Sequence, residues 1–106
     1  GHLGEGLPFW LHRLDDHSHG AMKRSALKRR SPDYLRDNVV ITTSGNFYTP
    51  ALLCSIAGLG IDNVMFSVDW PYESNKLGRA WLDGLPLSDE DKEKLAHKNA
   101  ERVLKL

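Results

Sequence analysis

The sequence predicts an α/β chain, and within that class the closing part of a barrel of parallel strands and helices rather than a complete one. Two runs, Val39-Val40-Ile41-Thr42-Thr43 and Val64-Met65-Phe66-Ser67-Val68, are rich in strand-forming residues with little polar alternation, as expected of strands buried on both faces in a parallel sheet. Between them Leu52, Leu53, Ile56 and Leu59 make one apolar helix face, opened by Thr49-Pro50 and ended by Gly58 and Gly60. Strand, helix and strand form a βαβ unit, whose crossover is right-handed in nearly all proteins. Two strands alone leave both faces and both edges in need of cover, so the unit expects more strands. A full (β/α)8 barrel takes about 250 residues. The chain has 106 and supplies only the last part of one.

The other elements follow in order. Leu7 to Leu14 predicts a short helix with Pro8 in its first turn, stopped by Gly20. Ala21 to Arg30 predicts a basic helix, and Ser31-Pro32-Asp33 the cap and first turn of a short helix through Arg36. After the second strand, Ser74 to Leu82 predicts a helix with Leu77, Ala80 and Trp81 on one face, closed by Gly84 and Pro86. Ser88 with Asp91 opens another, which Asn99 interrupts and recaps for a final turn carrying Val103, Leu104 and Leu106. The whole of 1–106 is expected to be one C-terminal portion of a barrel domain.

Composition narrows the function classes. With 41% hydrophobic and 26% charged residues the chain is an ordinary compact domain. Fourteen Lys plus Arg balance fourteen Asp plus Glu, so no net field favours nucleic acid, an anionic membrane or a polyanionic substrate. The single Cys54 excludes an internal disulfide framework and fits a reducing cytoplasm among other compartments. No apolar stretch approaches the roughly 20 residues that span a bilayer. The chain opens Gly1-His2 rather than with Met, which makes a piece of something longer the expectation.

The chemistry-bearing residues gather at strand ends. Asp69 follows the second strand directly, where barrel and open α/β enzymes place their sites. A carboxylate there can bind a divalent metal or shuttle a proton, and a role as the cap of the Trp70-Pro71 turn is an even match on spacing alone. Thr42-Thr43-Ser44-Gly45-Asn46 ends the first strand in groups able to hydrogen-bond a ligand at the same rim, although a plain connecting turn is the simpler account of them. In Gly1-His2-Leu3-Gly4-Glu5 the glycines permit a tight backbone that lets Glu5 orient the imidazole for proton transfer, although on these residues alone a His near a Glu is more often simply solvated. Arg13 offers a planar fork for a carboxylate or for Asp16. Asp15-Asp16-His17-Ser18-His19 tempts a metal reading, but a helix end lacks the convergent ligands a metal needs. The basic run Lys23, Arg24, Lys28, Arg29 and Arg30 reads as a solvated helix face, Cys54 as a packed thiol and His97 as a surface residue.

Gly1-His2-Leu3-Gly4-Glu5-Gly6-Leu7-Pro8, Thr42-Thr43-Ser44-Gly45-Asn46-Phe47, Phe66-Ser67-Val68-Asp69-Trp70-Pro71-Tyr72-Glu73 and the ending Asn99-Ala100-Glu101-Arg102-Val103-Leu104-Lys105-Leu106 together resemble the γ-resorcylate and 2,3-dihydroxybenzoate decarboxylases of the amidohydrolase superfamily. The resemblance runs in order over nearly the whole chain. It implies a distorted TIM barrel, with His2 after the sixth strand and the two runs as the seventh and eighth. It implies Asp69 as a ligand of a divalent metal, zinc or manganese, His2 and Glu5 as assistants in proton movement, and Arg13 and Tyr72 as substrate-binding residues. The implied reaction is non-oxidative loss of carbon dioxide from an ortho-hydroxylated benzoate, by a homodimer or homotetramer in the cytoplasm. The family's remaining ligands, a Glu-x-His-type segment and a His from a middle strand, match nothing here, so this segment alone is expected to be inactive. Tyr72 stands where the family commonly has Phe. A metal-dependent hydrolase of lactones or amides on the same scaffold is the rival enzyme reading, and a non-catalytic module using the basic helix the rival of another class.

Overall fold

The computed structural model describes residues 1–22 and 27–106. Its order is α1 (Leu7–Met22), α2 (Ser31–Asn38), β1 (Ile41–Thr42), α3 (Thr49–Leu59), a 3-10 turn (Ile61–Asn63), β2 (Val64–Met65), α4 (Asn75–Asp83), α5 (Asp89–Glu93), a π-helical segment (Lys94–Lys98) and α6 (Asn99–Leu104). β1 and β2 pair in parallel, Ile41 opposite Val64 and Thr42 opposite Met65, which is the expected βαβ unit. A parallel bridge from His2 to Thr42 adds the N-terminal segment on the far side of β1. The row is therefore residues 1–3, β1, β2.

Both strands are shorter than the five-residue runs, for local reasons. Val39 caps α2, its N–H bonded to Leu35 O at 2.9 Å, so it is not free for a ladder. At the other end Thr43 N–H still reaches Met65 O (3.0 Å), but the Thr43 carbonyl turns away to Asn46 N–H (2.9 Å). β2 loses its outer ladder to the C-terminal helix. Phe66 N–H bonds Leu95 O at 2.8 Å, and Asn99 Nδ2 donates to Val64 O and Ile61 O, each at 2.8 Å. The π segment makes this fit, because Asn99 N–H reaches back to Lys94 O rather than Leu95 O. Asn99, expected to interrupt the helix, is instead buried and ties it to β2.

Several helices depart from expectation. α1 runs through Gly20 to Met22 rather than stopping near Leu14, since one helical glycine costs only about 1 kcal/mol. The basic helix expected over 21–30 does not form as drawn. Residues 21–22 finish α1, 27–30 are not helical, and Lys23 and Arg24 lie outside the described residues. Ser31 does not cap α2, because its hydroxyl meets Ser18 Oγ at 2.8 Å. Thr49 begins α3 without capping it, its hydroxyl accepting from Trp81 Nε1 at 3.1 Å. On α4 the buried residues are Gly78 and Leu82, while Leu77 and Ala80 are exposed. Gly78 sets that face, since a Cβ there would lie 2.8 Å from Phe47 Cζ. Ser88 does open the last helix, accepting from Asp91 N–H at 3.1 Å.

The core lies where α1 and α3 meet the strands, around Leu3, Leu11, Ile41, Leu52, Leu59 and Val64. Burial at roughly 25 cal/mol per Å² of apolar area drives this packing. Among the described residues no helix is long and apolar enough to cross a membrane.

Candidate functional site

The site is built at the C-terminal ends of the parallel segments. Leu3 anchors the N-terminal one: its N–H bonds Thr42 O at 2.8 Å, its carbonyl accepts from the buried Ser55 hydroxyl at 3.1 Å, and its side chain is buried. The chain then doubles back. Leu3, Gly4 and Glu5 all take left-handed φ values of 53°, 74° and 54°, and Glu5 N–H bonds His2 O at 3.0 Å. Gly4 is needed there, because a Cβ would sit 3.2 Å from both Ile41 Cγ2 and Pro8 Cδ. The turn returns Glu5 to its neighbour three residues back, and Glu5 Oε1 receives His2 N–H at 3.2 Å and meets His2 Nδ1 at 2.8 Å.

With Nδ1 held by a carboxylate, the imidazole turns Nε2 toward Asp69, whose Oδ2 is 3.7 Å away. That gap is longer than a hydrogen bond and short enough for an electrostatic pair. The hydrogen bond that Glu5 accepts from His2, and then the charge of Glu5, raise the His2 pKa above the ordinary histidine value, and the same bond lowers that of Glu5. Asp69 itself sits in a left-handed conformation (φ 67°), its carbonyl accepting from Tyr72 N–H (2.9 Å) and Glu73 N–H (3.2 Å), so it both caps a turn and faces the histidine. The two readings of Asp69 are compatible.

His2, Ser44, Gly45, Asn46, Asp69 and Glu73 line one shallow cavity of about 280 Å³. The structure thus gathers His2, Asp69 and the first-strand rim, with Glu5 behind the imidazole. It does not bring Arg13 or Tyr72 there. Arg13 lies on α1 in a separate groove with Trp10, Leu14, His17 and Ser18, its guanidinium 6.0 Å from the Trp10 ring, and Tyr72 projects into solvent, 85% exposed. Glu73 was not singled out from sequence. Its signal was its position four residues past Asp69, in the turn that Asp69 closes.

The remaining candidates fall elsewhere. Among the described residues no cluster of three or more His, Cys, Asp or Glu side chains is set to hold a metal, and of the Asp15 to His19 run the His19 side chain lies outside what is described. Asp15 is buried and paired with Arg30, and His17 Nδ1 meets Arg13 O at 2.9 Å. Arg29 bonds Asp37 at 2.5 Å and lies over the Tyr34 ring, so the described arginines of the basic run are already engaged by acids. Cys54 is a half-buried free thiol, and His97 pairs at the surface with Glu101 at 2.8 Å. For a divalent cation the cavity offers the Asp69 carboxylate with the His2 imidazole beside it, and Glu73 on the same lining. Oxygen and nitrogen donors fit zinc or manganese, and the set needs further ligands from other chain.

The amidohydrolase family model matches residues 1–106. The γ-resorcylate decarboxylase of Rhizobium radiobacter is 40% identical over 109 aligned residues, covering all of this chain and 33% of that protein. Among solved structures, the 5-carboxyvanillate decarboxylase of Sphingomonas paucimobilis aligns with a TM-score of 0.91 at 37% identity, over 100% of this chain and 32% of that one. The dihydroxybenzoic acid decarboxylase of Polaromonas sp. JS666, solved with bound manganese and the inhibitor 2-nitroresorcinol, aligns at 0.87 and 36% over the same shares. The chain spans about a third of the length of the relatives it matches.

Proposed function

Because this chain belongs to the amidohydrolase family, we propose that it forms the last strands and helices of a barrel enzyme that removes carbon dioxide, without oxidation, from an ortho-hydroxylated benzoate. The observation that carries this reading is the line Glu5–His2–Asp69 across the strand ends, 2.8 Å and then 3.7 Å, opening on a polar cavity. In barrel terms residues 1–3 end the sixth strand, β1 is the seventh and β2 the eighth. Asp69 contributes a carboxylate to the metal, zinc or manganese, and the other ligands come from the two thirds of the relatives' length that lie outside this chain. A divalent metal held there would supply charge for the substrate's phenolate and carboxylate oxygens and so would help fix the ring.

The residues of this chain then move protons. In its acid form Asp69 gives a proton to the ring carbon that bears the carboxylate, which breaks aromaticity at that carbon. The bond to the carboxylate cleaves, its electron pair returns to the ring and carbon dioxide leaves. His2, oriented by Glu5, holds the phenolic proton or returns one to Asp69. Arg13 pairs with the substrate carboxylate from a neighbouring subunit, since in its own chain it lies in a different groove.

The test uses the complete enzyme and measures carbon dioxide from hydroxybenzoates beside hydrolysis of lactones and amides. Asp69→Asn is expected to lower manganese content and turnover together, by about 10- to 100-fold or more, because it removes a coordinating charge and the proton donor. His2→Asn is expected to keep its metal and lose rate. Full occupancy and normal rate in Asp69→Asn end the proposal, and hydrolysis without decarboxylation replaces it with the rival enzyme reading.

A further inference from the structure

We infer that Thr43 is a positioning residue for the Asp69 carboxylate, acting because its hydroxyl takes the place of its own carbonyl in the ladder between β1 and β2. The inference rests on the proposed role of Asp69. In a regular parallel ladder the bond after Thr43 N–H to Met65 O runs from Ser67 N–H to the Thr43 carbonyl. Here that carbonyl is occupied elsewhere, accepting Asn46 N–H at 2.9 Å and so closing the turn Thr43–Asn46. Ser44 and Gly45 at its centre have φ values of 42° and 79°, the positive pair of a type I′ turn. Ser44, Gly45 and Asn46 of this turn line the cavity together with His2 and Asp69.

The hydroxyl fills the gap. Thr43 Oγ1 accepts Ser67 N–H at 2.9 Å and donates to Ser67 O at 2.5 Å, two bonds that only a group both donor and acceptor can make. Ser67 is fastened to the turn further, its carbonyl accepting Gly45 N–H at 3.3 Å and its Oγ accepting Ser44 N–H at 2.9 Å and lying 3.3 Å from Ser44 Oγ. Thr42 Oγ1 meets Ser44 Oγ at 2.6 Å and completes the chain of hydroxyls. Thr43 is fully buried, so no solvent replaces its bonds. Ser67 is two residues before Asp69. Without the Thr43 hydroxyl, either the carbonyl returns to the ladder and the turn opens, or Ser67 N–H loses its partner in the protein. Both shift the strand end on which Asp69 stands, and displacements on the order of 1 Å at such a point cost catalysis about 100-fold.

The experiment compares Thr43→Val, which keeps the shape and loses the hydroxyl, with Thr43→Ser, which keeps the hydroxyl, in the complete enzyme. Metal-free protein is titrated with manganese alone, kcat and KM are measured on an ortho-hydroxybenzoate, and exchange of the Ser67 amide is followed by mass spectrometry. The expected result is a loss of about 10- to 100-fold in manganese affinity and kcat for Thr43→Val with KM little changed, faster Ser67 exchange, and recovery of all three in Thr43→Ser. Thr43→Val matching wild type in affinity and kcat overturns the inference, and so does equal impairment of both variants, which would assign the effect to packing. Where Thr43→Val does not accumulate, Thr43→Ser against Thr43→Ala differs by the hydroxyl alone and has the same two outcomes. Asp69→Asn run in parallel separates the levels: if it retains metal and rate, the function proposal fails, and if it is impaired while Thr43→Val is normal, only the present inference fails.

Discussion

At the residue scale, the site turns on how one imidazole is held. Glu5 bonds both the backbone and Nδ1 of His2, which fixes the ring and leaves Nε2 toward Asp69. The sign of the pH effect follows. The folded pKa of His2 is raised, so its charged partnership with Glu5 is fully present below the ordinary histidine value and is lost as pH rises through the raised one. That of Glu5 is lowered, so its contribution is present above the ordinary glutamate value and is lost as pH falls through the lowered one. In the metal-free complete enzyme, ring-nitrogen NMR is expected to give a His2 midpoint above the ordinary value, moving down in Glu5→Gln. An unmoved midpoint would mean that Glu5 does not govern the ring. This pairing was legible in Gly1-His2-Leu3-Gly4-Glu5, where small residues allow a turn and the acid is three residues on. The substitution of hydroxyl for carbonyl at Thr43 was not, because nothing local says which carbonyl a turn will claim. Only the register of β1 on β2 reveals it.

At the element scale, the hydrophobic runs located both strands and the helix between them but overstated strand length. The reasons are tertiary: α2 consumes Val39, and the C-terminal helix consumes the outer groups of β2. On α4 the expected face holds only at Trp81, which packs against the core; apolar spacing also points to Leu77, while the close approach of Phe47 selects Gly78. Asn99 was noticed for its helix-breaking type and turns out to be a tie. Asn99→Ala removes the donor to two carbonyls, Ile61 O and Val64 O, and is expected to cost about 1–3 kcal/mol per acceptor left buried. A denaturant midpoint for the complete enzyme equal to that of wild type would show that the helix holds β2 without it.

At the scale of the whole molecule, the chain is spread out. Its radius of gyration is 15.2 Å, where a free-standing domain of this length gives about 13 Å. Phe9, Trp70 and Leu77 are each more than half exposed, as surfaces are that other chain covers. The separation of Arg13 from the His2 cavity gives the proposed oligomer a test. If each site takes His2 from one protomer and Arg13 from its two-fold mate, mixing an inactive His2 variant with an inactive Arg13 variant rebuilds one site in each mixed dimer. Random reassortment makes about half the dimers mixed, so activity returns to about a quarter of wild type. Mixtures that stay dead, with mixed dimers shown to form, would place both residues in one chain's site. The bonds from Leu95 and Asn99 to β2 have a further consequence for assembly. A strand edge is adhesive: its free N–H and C=O groups will template any extended segment that reaches them, from the same molecule or a stranger. At Val64 C=O and Phe66 N–H those groups are already taken by the protein's own helix, so along that stretch of the flank a sticky neighbour finds nothing to grip, and the first strand of a closed barrel would pair with β2 only beyond it.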